Sequence, residues 1–415
     1  MEEQQLQIQI GQENSDEINL TTRVLNELRR LRERVVNGLV NSIASPFKRF
    51  ERDFIGIQQH RYYVVTASTK IGKTQLASYL FLYTPIFYAI EHPDKVRLKV
   101  FYYALEETAN DVMLRFMSHL LYKFDNISIS TDDLQSVREG KLLDLRILEL
   151  LDSEKYRKYL DFFSSHVEFS ESTNPTGVLK ECEKYALDNG KVFYKNKVIK
   201  DDLGNNKTIK KFDYYVPNDP EEYKIIFYDH VSLTSTERGM SLKESIDKLS
   251  EYFVTLRNKY NYSPVVVQQQ AFAGESLEAI KEQKLRPTIA NLADSKYTAR
   301  DCNTCLGLFS PYKFELRNYK GYDITQLKDN CRFLEVLVNR GGIMGGIIGL
   351  YFNGESCYFE ELPQPTEYAR LNEIYARINL TNGNVGRTLF TFAKLKNKRR
   401  RKHKQLKEKK LWLKF

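Results

Sequence analysis

The chain has 415 residues, 42% of them hydrophobic and 13% aromatic, enough for a full buried core and, on length alone, for two or three domains. No apolar run approaches the roughly 18 residues a membrane span needs, and the acidic, Gln-rich start has no early Lys or Arg, so neither a membrane protein nor a secretory leader is expected. The formal charge of +9 is concentrated at the end: residues 394–415 hold twelve Lys or Arg against one Glu, a net +11 that leaves −2 for the rest.

Such a tail either attracts polyanions in a salt-sensitive, sequence-blind way or serves as a solvated end. The cysteines Cys182, Cys302, Cys305, Cys331 and Cys357 are odd in number and scattered, which suits reduced thiols and a cytosolic location. Cys302 and Cys305 form a C-x-x-C without a second Cys or His pair nearby, so they are expected as small core thiols at a strand start rather than a zinc site.

Residues 1–18 have the composition of a disordered acidic segment. From 17 to about 43, Ile18, Leu20, Val24, Leu25, Leu28, Leu31, Val35, Val36, Leu39 and Val40 recur at helical spacing among Arg and Glu. This predicts an amphipathic helix that packs on its own core or on a neighbouring subunit, before Pro46 breaks the pattern. The run Tyr62-Tyr63-Val64-Val65 then predicts a strand that feeds Ala67-Ser68-Thr69-Lys70-Ile71-Gly72-Lys73-Thr74, with a helix from Gln75.

That octet fits the phosphate loop G-x-x-x-x-G-K-[ST] except that Ala67 stands at the first position. Its chemistry is local: backbone N–H groups and a helix N-terminus face a triphosphate, Lys73 reaches the β- and γ-phosphates, and the Thr74 hydroxyl holds Mg²⁺.

Downstream, Pro85 is expected to end or kink the helix. Residues 96–105 predict a strand closing on Glu106-Glu107, 108–123 a helix, 126–163 mostly helix, 167–170 a short strand, and 174–189 a helix opened by Asn174-Pro175. Residues 191–219 differ in kind. Two β-rich arms, 192–199 and 208–216, flank Asp201-Asp202-Leu203-Gly204-Asn205-Asn206, as expected for a long hairpin inserted on the surface. A buried-type strand at 224–228 ends on Asp229, a helix covers 242–259, and a strand at 264–267 ends on Gln268-Gln269-Gln270. This alternation predicts an α/β fold with a mainly parallel sheet covered on both faces. Short β runs at 304–309, 332–338, 347–353 and 356–359 complete an all-β end, and one more helix follows Pro365.

Ligands of open parallel sheets bind at the carboxyl ends of strands, where Lys73, Thr74, Glu106, Asp229 and Gln270 all fall. The ordered set is residues 67–74, Tyr103-Ala104-Leu105-Glu106 with Arg115 downstream, 229–233 and 265–270. It continues through Arg286-Pro287, Asn291-Leu292-Ala293-Asp294-Ser295 and Asp301 to Asn339-Arg340-Gly341-Gly342 with Gly345. Over about residues 47–360 this set resembles the ATPase domain of the DnaB-type replicative helicases of the RecA-like superfamily, in which an Ala commonly opens the P-loop.

The resemblance implies a RecA-like P-loop ATPase domain over 47–362 with the hairpin at 191–219 inserted. A linker-type helix at 19–46 would precede it, and a helical extension at 363–393 and the basic tail at 394–415 would follow. It implies ATP and Mg²⁺, with Glu106 as catalytic glutamate, Asp229 as the metal-associated acid, Gln270 as γ-phosphate sensor with the choice among 268–270 left open, and Arg340 as a finger reaching a neighbour's nucleotide. Single-stranded DNA would be held by Arg238, Lys243, Lys281, Lys284 and Arg286 inside a homo-oligomeric ring, expected to be a hexamer, with the tail as a dock for replication partners.

Two departures stand out: Val338 replaces the Lys that the family carries two places before the finger, and about 45 N-terminal residues leave no room for the family's collar domain. Three functions fit these residues: a ring helicase, a filament-forming recombination or annealing ATPase, and a DNA-binding structural protein with a degenerate ATPase.

Overall fold

A computed structural model describes residues 20–200, 206–271, 285–342 and 344–383. The acidic start at 1–18, the hairpin tip at 201–205, Lys281, Lys284 and the basic tail at 394–415 lie outside them.

Strands that must be covered on both faces read as continuous apolar runs, and those runs form the centre here. In chain order the strands are β1 (Tyr63–Ala67), β2 (Arg97–Ala104), β3 (Val167–Phe169), β4 (Gly190–Lys200), β5 (Asn206–Pro217), β6 (Glu222–Asp229), β7 (Tyr262–Gln269), β8 (Thr304–Phe309), β9 (Cys331–Asn339), β10 (Ile347–Asn353) and β11 (Tyr358–Glu361). β4 and β5 pair only with each other; the others form one nine-stranded sheet in the order β11-β10-β9-β8-β1-β7-β6-β2-β3. From β8 to β3 every neighbour is parallel, whereas β9, β10 and β11 are added antiparallel. The expected α/β sheet is present, and the all-β end is its antiparallel edge.

Side chains alternate along each strand, so each strand supplies two cores. Tyr63, Val65 and Ala67 of β1 join Val100, Tyr102, Ile225, Phe227, Val265 and Val267 in the first. This core is covered by the P-loop helix in two pieces, α2 (Lys73–Ser78) and α3 (Thr84–Glu91), by α4 (Ala109–Asp125) and by α5 (Glu154–His166). Tyr62 and Val64 join Phe101, Tyr103, Ile226, Tyr228 and Val266 in the second, beneath α6 (Pro175–Asp188) and α7 (Leu242–Tyr260). Cys302 and Cys305 are buried in this second core. Among the described residues no helix is long and apolar enough to cross a membrane.

Three elements differ from the sequence expectation. The first helix, α1, spans only Leu20–Val36, because Gly38 takes φ +81° and Leu39 N–H closes back on the Arg34 carbonyl at 2.9 Å. Pro85 neither ends nor breaks the P-loop helix; a π-helical turn at Tyr79–Tyr83 lies just before it and the helix runs on to Glu91. Such wider turns are one way a helix absorbs a residue that cannot donate. Residues 126–163 are less continuously helical than expected, with pieces at Thr131–Leu134, Leu145–Leu151 and α5. Ser130 and Asp144 each accept a backbone N–H as fresh N-caps, and Gly140 at φ +72° interrupts the chain between them.

Candidate nucleotide site

The P-loop leaves the carboxyl end of β1 and turns into α2 through two left-handed residues, Lys70 at φ +61° and Gly72 at φ +99°. A Cβ on Gly72 would stand 3.2 Å from the Phe352 ring and 3.2 Å from Gln75 Oε1, so both conformation and space reserve this position for glycine. Ala67 is fully buried in the first core, where its methyl is one of the packed groups, and a larger side chain would have nowhere to go. Lys73 is half-buried and makes no hydrogen bond or ion pair to the described residues, which leaves its ammonium available to an anion.

The carboxyl ends of β2, β6 and β7 surround this loop. Thr74 Oγ1 donates to Asp229 Oδ1 at 3.2 Å. Asp229 is 3% exposed, and burial pushes its carboxyl up to about 7 against the opposing pull of Lys73 and Thr74. A hydroxyl and a buried carboxylate with so little positive charge beside it form an all-oxygen donor set, which suits a hard divalent cation. The P-loop and this pair therefore fit Mg²⁺ with a triphosphate. Beside them Glu106 Oε2 lies 3.6 Å from His230 Nε2, its side chain half exposed. Glu107 is turned the other way into an ion pair with Arg115, so of the two adjacent glutamates Glu106 is the one left facing the site. Burial and the nearby Lys73 ammonium hold His230 below its ordinary range.

The three glutamines at the end of β7 divide by alternation. Gln268 Nε2 donates to the carbonyls of Ala293 at 2.6 Å and Ser295 at 2.7 Å. Gln270 Nε2 donates to Thr66 Oγ1 at 2.9 Å, and its Oε1 accepts from Thr288 N–H at 3.1 Å. Both are buried and tie β7 to the segment that follows it. Gln269 instead donates to Thr69 Oγ1 on the P-loop. The geometry thus brings Gln269, rather than the expected Gln270, to the phosphate side.

Two contacts to the loop have no signature in the sequence. Arg332, 2% exposed, donates from Nε to the Ile71 carbonyl at 2.7 Å and from Nη1 to the carbonyls of Asp329 and Cys331, each at 2.8 Å, while its guanidinium stacks over Phe352. Lys313 Nζ donates to the Thr69 carbonyl at 3.2 Å. Each reaches across more than 240 residues of chain, and only the closed sheet makes them neighbours.

Arg340 lies elsewhere. Thr304 of β8 pairs with Asn339 on one side and with Tyr63 on the other, so Arg340 sits at the amino end of β1, opposite the P-loop. It is exposed, its N–H donates to the Asn303 carbonyl at 2.9 Å, and its guanidinium donates to the Arg300 carbonyl. Val338 packs partly buried against the second core. Of the residues expected on DNA, Arg238 is exposed, Lys243 pairs with Asp247 at 2.6 Å, and Arg286 pairs with Glu335 at 3.3 Å.

A parallel sheet with a P-loop after its central strand, acids on the neighbouring strand ends and an antiparallel edge defines the RecA-like ATPase fold. Within that class the chain is similar to the solved ATPase domain of a DnaB-like helicase, with a TM-score of 0.56 and 14% identity over 84% of this chain and 100% of that one. It is also similar to a DnaB-like replicative helicase solved for its interactions with primase, with a TM-score of 0.54 and 14% identity over 87% of this chain and 71% of that one. No protein-family model matches the chain, and no curated protein matches it by sequence.

Proposed function

We propose that this chain is the ATP-driven motor of a replicative-type DNA helicase, a ring that hydrolyses ATP between subunits, moves along single-stranded DNA and unwinds duplex. The observation that carries the proposal is the separation of Arg340 from its own P-loop by the length of the sheet. An exposed arginine on a Gly-rich loop at that end can serve a nucleotide only if the nucleotide belongs to another subunit. The resemblance of the ordered motifs to DnaB-type helicases and the similarity of fold support the same reading.

In this mechanism the P-loop amides and Lys73 bind the phosphates, and Thr74 with Asp229 would hold Mg²⁺. When bound, that ion neutralises charge on the β- and γ-oxygens. Glu106 orients the attacking water and accepts its proton; Gln269 sits where it can register the γ-phosphate through Thr69. Arg340 of the adjacent subunit stabilises the charge developing in transfer, and Arg238 with its neighbouring loops faces the strand.

The test is ATP turnover with and without single-stranded DNA, together with particle shape in electron microscopy. Lys73→Ala should abolish turnover, and Glu106→Gln should retain ATP binding while turnover stops. Filaments in place of rings would shift the assignment to a recombination-type ATPase; absence of turnover in the native chain would leave a DNA-binding structural protein.

A further inference from the structure

The β4–β5 arm belongs to neither the sheet nor the nucleotide site. It leaves the body at Asn189 and returns at Asn218, whose N–H donates to the Asn189 carbonyl at 2.9 Å. The strands pair from Gly190 with Pro217 out to Lys200 with Asn206, with Asp213 as the extra residue of a bulge. At its root the inner face is anchored: Tyr215 is buried and packs edge-on to Tyr260 of α7, as does Phe212, and Val192 joins the second core.

Alternation and register assign the outer face. It carries Lys191, Phe193, Lys195 and Lys197 on β4, with Tyr214, Lys211 and Lys207 on β5. Phe193 and Tyr214, directly opposite each other, stack with centroids 4.6 Å apart and planes 12° apart, yet remain 40% and 44% exposed. Lys195 pairs with Asp213 at 2.7 Å, while Lys191, Lys197, Lys207 and Lys211 form no ion pair with the described residues. The described part of the arm has seven lysines against one acid, and counting Asp201 and Asp202 at the tip the whole arm keeps a net +4.

Solubility alone favours mixed charge and covered rings, and this face has neither. Its charge selects a polyanion. An open aromatic pair flanked by cations selects one whose bases are free to stack, which duplex does not offer because its base faces are already occupied. Side chains two apart on a strand are about 6.8 Å apart, a spacing comparable with successive phosphates on an extended single strand.

We propose that the outer face of the β4–β5 arm is a second binding site for single-stranded DNA, with Lys191, Lys197, Lys207 and Lys211 on phosphates and the Phe193–Tyr214 pair stacking a base. Only the choice of DNA rests on the motor reading; binding needs neither ATP nor a ring.

The test uses the full chain without nucleotide and a fluorescent oligo(dT), with anisotropy followed across a salt titration. Phe193→Ser with Tyr214→Ser should weaken binding by roughly 5- to 150-fold, the loss of one stacked base. Replacing the four lysines by Ser should lower the slope of log K against log salt by about 2.8, which is about 0.7 for each phosphate released. Thermal melting should match the native chain, since every substituted side chain faces solvent, and ATP turnover without DNA should be unchanged. Unaltered affinity and slope in both variants would overturn the proposal, as would an equal loss on blunt duplex and on single strand. A native chain that binds through the arm but neither hydrolyses ATP nor forms rings would refute the helicase function and leave this site standing.

Discussion

Replacing Arg340 by Ala should cost about three orders of magnitude in ATP turnover, the loss expected when a finger stops stabilising the transferred phosphoryl group. The fold should barely notice. The side chain is exposed and its guanidinium meets only one described carbonyl, that of Arg300, so about 1 kcal/mol and a shift in Tm of roughly 2 °C or less are at stake. Geometry dictates where the lost group acts. Asn339 is level with Tyr63, four residues short of Ala67, which is about 13 Å along the strands; crossing from β9 to β1 adds about 10 Å sideways, giving roughly 16 Å in all. No arginine side chain spans that distance and still reaches a phosphate beyond the loop. Lys73→Ala and Arg340→Ala should therefore each be nearly inactive alone. Mixed in equal amounts with subunit exchange, about one head-to-tail interface in four pairs an intact Lys73 with an intact Arg340, so phosphate release should recover to about a quarter of the native rate. Absence of recovery, with exchange demonstrated by labelled subunits, would refute the shared site.

Gln269→Ala should lower turnover with little change in Tm, whereas Gln270→Ala leaves the Thr288 N–H and Thr66 hydroxyl without a partner and should cost about 1–3 kcal/mol in denaturant unfolding. Equal effects in the two assays would remove the distinction between them. Gly72→Ala forces a Cβ at φ +99° against Phe352 and should weaken binding of an ATP analogue about tenfold or more; unchanged affinity would show that the phosphates bind elsewhere. Lys224 is 1% exposed, and burial holds its ammonium down at about 8. The unfolded chain keeps that proton up to about 10.4, so between about pH 8 and 10 the unfolded state binds more protons and the native protein should gain stability relative to Lys224→Met as pH rises. A stability difference between the two proteins that is flat over this window would contradict the inferred burial penalty.

The parallel strands were legible because both their faces are buried, which leaves uninterrupted apolar runs at β1, β6 and β7. The P-loop was legible because its signature is contiguous. The glutamine register was not: three identical residues carry no phase, and only the segment at 288–298, which satisfies Gln268 and Gln270, singles out Gln269. Arg332 looks like any charged residue opening a strand, since its partner Ile71 is remote in sequence. Lys243 beside Asp247 at i+4 was a readable pair, while Arg286 with Glu335 was not. The breaks within 126–163 were also written in the chain, as the capping residues Ser130 and Asp144.

Arg332 and the proposed finger are the two ends of a single strand. β9 begins where Arg332 grips the Ile71 carbonyl of its own P-loop, and eight residues later, about 26 Å away, it delivers Arg340 to the far edge. Ladders to β8 and β10 hold that strand on both sides. It is therefore a short rod with one end seated in this subunit's phosphate cradle and the other presented to the next, so any displacement of Ile71 must either break the hydrogen bonds of a buried guanidinium or move the rod as a whole. Between neighbours in a ring, such a linkage would make the occupancy of one cradle a positional signal at the next.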